Sequence, residues 1–181
     1  MRARTASLSA RSEIGLGFDL QTDGSATEPT TATHRVTYSD RLKLFLGPAD
    51  SVTNFLRPLR RLNGFDYYSV NLTRLPFPMP AAEITAMISA APGTDYVQCT
   101  GAADVLAIEL RTTIDGRPRR YLLGLPGDRL GYPGVDVPNG PDLLRVYPDE
   151  VFTAEHAAEV FATYFRMGDI PTGFQLREVV E

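Results

Sequence analysis

The chain has 181 residues, with 22 Asp and Glu against 18 Lys and Arg, for a formal net charge of −4. Its 43% hydrophobic content is enough for one ordinary core, which excludes a wholly disordered chain. No apolar run approaches the roughly 18 residues that cross a bilayer, and the single cysteine, Cys99, excludes an intrachain disulfide framework and a cysteine-based zinc site.

Among the basic residues only Lys43 is lysine and the rest are arginine; with abundant Ala, Gly and Pro this indicates GC-rich coding, as in an actinobacterium. Charge divides unevenly along the chain. Residues 1–64 carry nine basic and six acidic side chains, whereas residues 65–181 carry nine and sixteen.

The stretch from Met1 to Arg35 is rich in Ser, Thr, Ala, Gly and Arg without sustained hydrophobic period, so it is expected to be a poorly ordered tail. It lacks the apolar segment of a secretory signal, and a cytoplasmic protein is expected. Residues 36–64 read as a weakly structured extension. There Leu42, Leu44 and Leu46 alternate as in a strand, and Val52, Phe55, Leu56 and Leu59 follow helical spacing that Pro58 should end or kink.

Residues 65–181 read as the compact domain. Alternation of Tyr68, Val70 and Leu72 predicts a strand over 67–74, and the proline-alternating Leu75–Pro80 must be extended. Ile84, Met87, Ile88 and Ala91 mark one face of a helix stopped by Pro92-Gly93. Strands are predicted at 96–100, 105–112 and 120–123, the last two joined by a hairpin at Asp115-Gly116. The Gly- and Pro-rich residues 124–142 read as a long loop, followed by a strand at 143–147. Thr153 caps a second helix whose stripe is Ala157, Val160, Phe161 and Tyr164 and whose stop is Gly168, and a last strand covers 174–180. The expected fold is α+β: a mainly antiparallel sheet with two helices packed on it, preceded by the poorly ordered N-terminal segment.

Residues that carry chemistry are sparse. There is no P-loop, no nucleophile elbow and no HExxH pair. His34 and His156 have no His or Cys at metal-ligand spacing, and His156 with Glu155 and Glu159 reads as a solvated helix end, so neither a metal nor another cofactor is expected. Cys99 reads as core filler, and the acid pairs Asp149-Glu150 and Glu155/Glu159 read as solvated. No catalytic residue is assigned and the protein is not expected to be an enzyme. An acidic domain would repel phosphates, so nucleic acid is not an expected partner, nor is a membrane.

The run Tyr96–Arg111 and the C-terminal sequence Val151–Phe161, Tyr164–Gly168 and Pro171 resemble the Imm1-type immunity proteins of bacterial polymorphic toxin systems. The resemblance spans about 115 residues from Tyr67. It includes the family's terminal helix, its Gly-x-x-Pro turn (here Gly168-Asp-Ile-Pro171) and its last strand. This chain has no Trp, which the family often carries in that strand; Phe174 or Leu176 takes the place.

The resemblance implies a non-catalytic inhibitor that covers the active site of a cognate toxin, a nuclease or nucleic-acid deaminase. Acidity suits a basic partner. The contact is expected on the loop bearing Asp128, Tyr132, Asp136 and Asp142. The alternative is a small ligand-binding or enzymatic α+β domain with a pocket between sheet and helices, using Gln98, Glu109 and Arg111.

Overall fold

A computed structural model describes residues 31–80, 83–84, 95–127, 129 and 131–179. Nine strands account for most of it: β1 (Ala32–Tyr38), β2 (Leu42–Leu46), β3 (Ser69–Met79), β4 (Tyr96–Ala102), β5 (Val105–Ile114), β6 (Arg117–Gly124), β7 (Val135–Asn139), β8 (Asp142–Val146) and β9 (Gln175–Glu178). Seven form one antiparallel sheet in the order β2-β1-β3-β4-β5-β6-β9, while β7 and β8 form a separate hairpin.

Two helices join them, α1 (Val52–Leu56) and α2 (Ala154–Met167). The expected antiparallel α+β architecture is present. Of the two helices expected on the sheet, α2 is present; α1, a separate and shorter helix, gives way after five residues to a 3-10 turn that holds Pro58. The helix expected around Met87, and the Phe55 side chain, lie outside the described residues.

α2 forms where the sequence places it. Thr153 accepts a bond from the His156 amide, and Gly168 closes the helix at φ 73°, a left-handed conformation that suits glycine. Its stripe of Ala157, Val160, Phe161 and Tyr164 is buried on one face of the sheet. It packs there on Val36, Val70, Leu72, Val97, Cys99, Leu106, Ile108 and Leu123. Leu56, Leu59 and Leu62, from α1 and the turn after it, complete this main core.

Residues 36–64 are therefore part of the fold. They supply β1, β2, α1 and core side chains. Ala32–Arg35, expected in the disordered tail, form the first half of β1, and residues 1–30 lie outside the described residues. β1 alternates inward His34, Val36 and Tyr38 with Arg35 and Thr37, and the register shift between Ala32 and His34 turns Ala32 to the opposite face.

The second face of the sheet has two apolar ends and a polar middle. At one end the β7–β8 hairpin lays Val137 and Val146 over Ala107 and Leu122. At the other, Ala32, Leu75 and Met79 pack with Phe45 and Ile84. The hairpin's presence corrects the long loop read over 124–142: its second part is β7, whose inward Val135 and Val137 alternate with Asp136. Pro138 is tolerated because a two-stranded hairpin leaves one side of each strand unpaired.

Candidate functional site

Of the four residues expected to form the contact, Asp136 and Asp142 lie on opposite faces of the β7–β8 hairpin. Asp128 lies outside the described residues. Tyr132 is 92% exposed ahead of β7. Asp136, on the outer face of the hairpin, is held by Arg145 across the ladder at 2.8 and 3.2 Å, and that bond keeps its carboxyl below the usual carboxylate range. Asp142 opens β8 at the hairpin tip, opposite Asn139, in register with the inward-facing Leu144 and Val146.

Asp142 belongs with another group of residues. Four connections meet at one end of the molecule: the β1–β2 turn, residues 63–68, the β4–β5 turn and the hairpin tip. The Gly140 amide donates to the Gly64 carbonyl at 2.9 Å, and the Ala103 amide to Leu62 at 3.0 Å. Tyr68 donates from its hydroxyl to Asp40 at 3.2 Å and from its amide to Ser39 Oγ at 2.9 Å, with its ring against Gly140. Asn63 Oδ1 accepts from the Phe65 and Tyr67 amides at 3.0 and 3.1 Å, which turns Phe65 and Asp66 outward.

The outcome is a phenyl ring, Phe65, 68% exposed at an end of the molecule whose turns also carry the exposed carboxylates Asp40, Asp66, Asp104 and Asp142 and the exposed Arg41. The sequence concealed this grouping because its members lie as far apart as residues 40 and 142.

The polar middle of the second face is the other concentration of functional groups. Arg35 donates to Thr73 at 3.3 Å, Thr73 to Asn71 at 2.7 Å, Asn71 to Gln98 at 3.0 Å and Gln98 to Thr100 at 3.4 Å. Next along the sheet, Glu109 accepts from Tyr96 at 2.5 Å and from Arg120 at 3.1 and 2.7 Å. Burial and the facing Glu109 carboxylate push the Tyr96 hydroxyl well above its ordinary pKa.

Gln98, Glu109 and Arg111 thus share a face. Glu109 spends its charge on Arg120, however, and Arg111 lies over the Tyr96 ring at 5.9 Å. A groove of about 460 Å³ opens beside them, lined by Tyr96, Arg111, Arg119, Arg120 and Glu178. The space between the sheet and α2, where a ligand-binding domain would place its pocket, is filled by Val160, Phe161 and Tyr164.

Glu150 departs from its expectation as a solvated acid. It is completely buried, accepts from Arg177 at 2.7 and 2.8 Å and from the Tyr147 amide at 3.0 Å, and lies 3.3 Å from Arg129. Arg129 also grips Asp149 at 2.6 Å, and both guanidinium groups face the Tyr147 ring. Cys99 is fully buried, which pushes its thiol up to about 12, far from a reactive thiolate.

Among the described residues no three His, Cys, Asp or Glu side chains are grouped to hold a metal, and no helix is long and apolar enough to cross a membrane. Comparison with protein-family models, curated proteins and solved structures finds no match.

Proposed function

We propose that the protein is a non-catalytic immunity protein that binds a basic bacterial toxin, a nuclease or nucleic-acid deaminase, and covers its active site. The observation that carries this reading is the exposed Phe65 at the end of the sheet whose meeting turns also expose Asp40, Asp66, Asp104 and Asp142. A large apolar side chain in solvent costs nothing to dehydrate on one side and anchors an interface when a partner closes over it. Carboxylates around it raise the encounter rate with a cationic surface and reject acidic competitors. Nucleases and deaminases present cationic surfaces because their substrates are polyanions. The C-terminal resemblance to immunity proteins points the same way. In this reading the contact moves from the 128–142 loop to the end of the sheet, keeping Asp142, and continues along the hairpin toward the exposed Leu143 and Tyr132.

The test is capture of partners by the full chain from source cells at low and moderate salt, followed by expression of any stoichiometric partner alone and with this protein. The reading requires a basic partner that stops growth when expressed alone and is neutralised by the wild-type chain but not by the Phe65→Ala/Asp66→Asn/Asp142→Asn variant. A partner harmless on its own, or one neutralised equally by the variant, overturns the function or the surface respectively.

A further inference from the structure

A second groove, of about 400 Å³, lies far in character from the acidic end. It runs between the proline-interrupted half of β3 and the last turn of α2, with Thr33 and His34 of β1 also lining it. Its rim leaves Phe77 59% and Met167 75% exposed. Two guanidinium groups, Arg74 and Arg166, line it, no carboxylate does, and neither arginine has an ion pair among the described residues. In a chain with an acid surplus, two uncompensated cations beside exposed apolar side chains form a distinct chemical environment.

A buried histidine adds a second observation. His34 is only 6% exposed, its ring packs on Phe165 at 4.8 Å, and Nε2 has no hydrogen-bond partner. Thr33 Oγ1 lies 2.9 Å from Nδ1 and 3.4 Å from the Leu46 carbonyl. Thr33 thus partners Nδ1, and Nε2 is left as a buried polar atom with no partner of its own. Burial and the Arg74 charge keep that ring neutral, with its pKa down at about 4. The Arg74 guanidinium lies against Gly168 at the end of α2, so a cation and the unpartnered ring nitrogen belong to the same groove.

We infer that this groove binds a small amphipathic carboxylate, with its head group taken by Arg74 and Arg166 and its apolar body laid on Phe77 and Met167. Guanidinium forks match a carboxylate in shape and charge, and covering the two exposed side chains adds apolar burial.

The experiment titrates the full chain with 4-phenylbutyrate while following the His34 ring nitrogens and the Met167 methyl by NMR. Two further probes are 4-phenylbutan-1-ol, which lacks the charge, and acetate, which lacks the body. Saturable shifts at both residues are expected, with both control probes at least about tenfold weaker. Arg74→Gln/Arg166→Gln, at two exposed positions whose loss leaves the core intact, should weaken 4-phenylbutyrate by about tenfold, whereas Arg111→Gln in the other groove should not. Absence of a shift at His34, equal binding of the alcohol, or undiminished binding to the double variant overturns the inference.

Discussion

Arg177 closes on Glu150 through two nitrogens, at 2.7 and 2.8 Å, around a carboxylate with no exposure to solvent. β9 is thereby bound to the 3-10 turn 148–150 by charge as well as by its ladder with β6. Removing Arg177 leaves the buried carboxylate only Arg129, at 3.3 Å, and the Tyr147 amide. Arg177→Ala should therefore cost about 2–4 kcal/mol of stability, a large share of what a marginally stable domain has. Replacing both by apolar residues of similar size should cost less. Urea midpoints of the two variants decide it, and an Arg177→Ala midpoint within error of wild type would mean that the pair is dispensable.

His34 makes stability depend on pH with a definite sign. Its pKa falls from an ordinary 6.5 to about 4 on folding, because of burial and then Arg74. Between those values the unfolded chain binds a proton that the native one does not. The contribution is complete above pH 6.5 and is lost as pH falls toward 4, up to about 3 kcal/mol in all. The measurement is the difference between wild type and His34→Gln in denaturant unfolding across that range. A difference that stays constant with pH would mean that folding leaves the proton affinity of the imidazole unchanged.

Gly101 holds β4 close to two neighbours at once. A Cβ there would meet the Val105 carbonyl oxygen at 2.1 Å and Val137 at 2.8 Å, and φ is +133°. Neither a backbone oxygen nor the strand that carries it can move aside. Gly101→Ala should destabilise by about 2–4 kcal/mol and loosen the hairpin from the sheet. Gly116, with open space around its Cβ position, tests the conformational cost alone, and Gly116→Ala should lose only about 1 kcal/mol.

Cys99 offers a probe of global opening. With the thiol buried in the main core and its pKa raised to about 12, a thiol reagent at neutral pH should label it only through unfolding. Labelling rates in rising urea should converge on the global unfolding free energy. Fast labelling in native buffer would reveal a local opening of β4.

The strands that were readable from sequence owed it to alternation, as in Val105–Ile114, where Leu106, Ile108 and Leu110 face α2. α2 was equally legible, because Thr153, its apolar stripe and Gly168 all agree. β1 was not, since His34 stands among its inward positions and its outward ones are Thr and Arg, which read as tail. β7 was hidden by Pro138 and the glycines around it, although Val135 and Val137 alternate with Asp136. Nothing local announces that Glu150 is buried: its two cations come from residues 129 and 177, and only the fold unites them. The acidic end has the same origin, being assembled from four turns that share no pattern.

The sheet order also carries a consequence for timing. β6 has β5 on one side and, on the other, only the four residues of β9, some fifty positions later in the chain. Until residues 175–178 have been synthesised, β6 presents a bare row of amides and carbonyls, and the Glu150 carboxylate waits for its main cation. A nascent chain of this protein is thus sticky along one edge until its final strand arrives, and β9 acts as the clasp that ends that vulnerable interval.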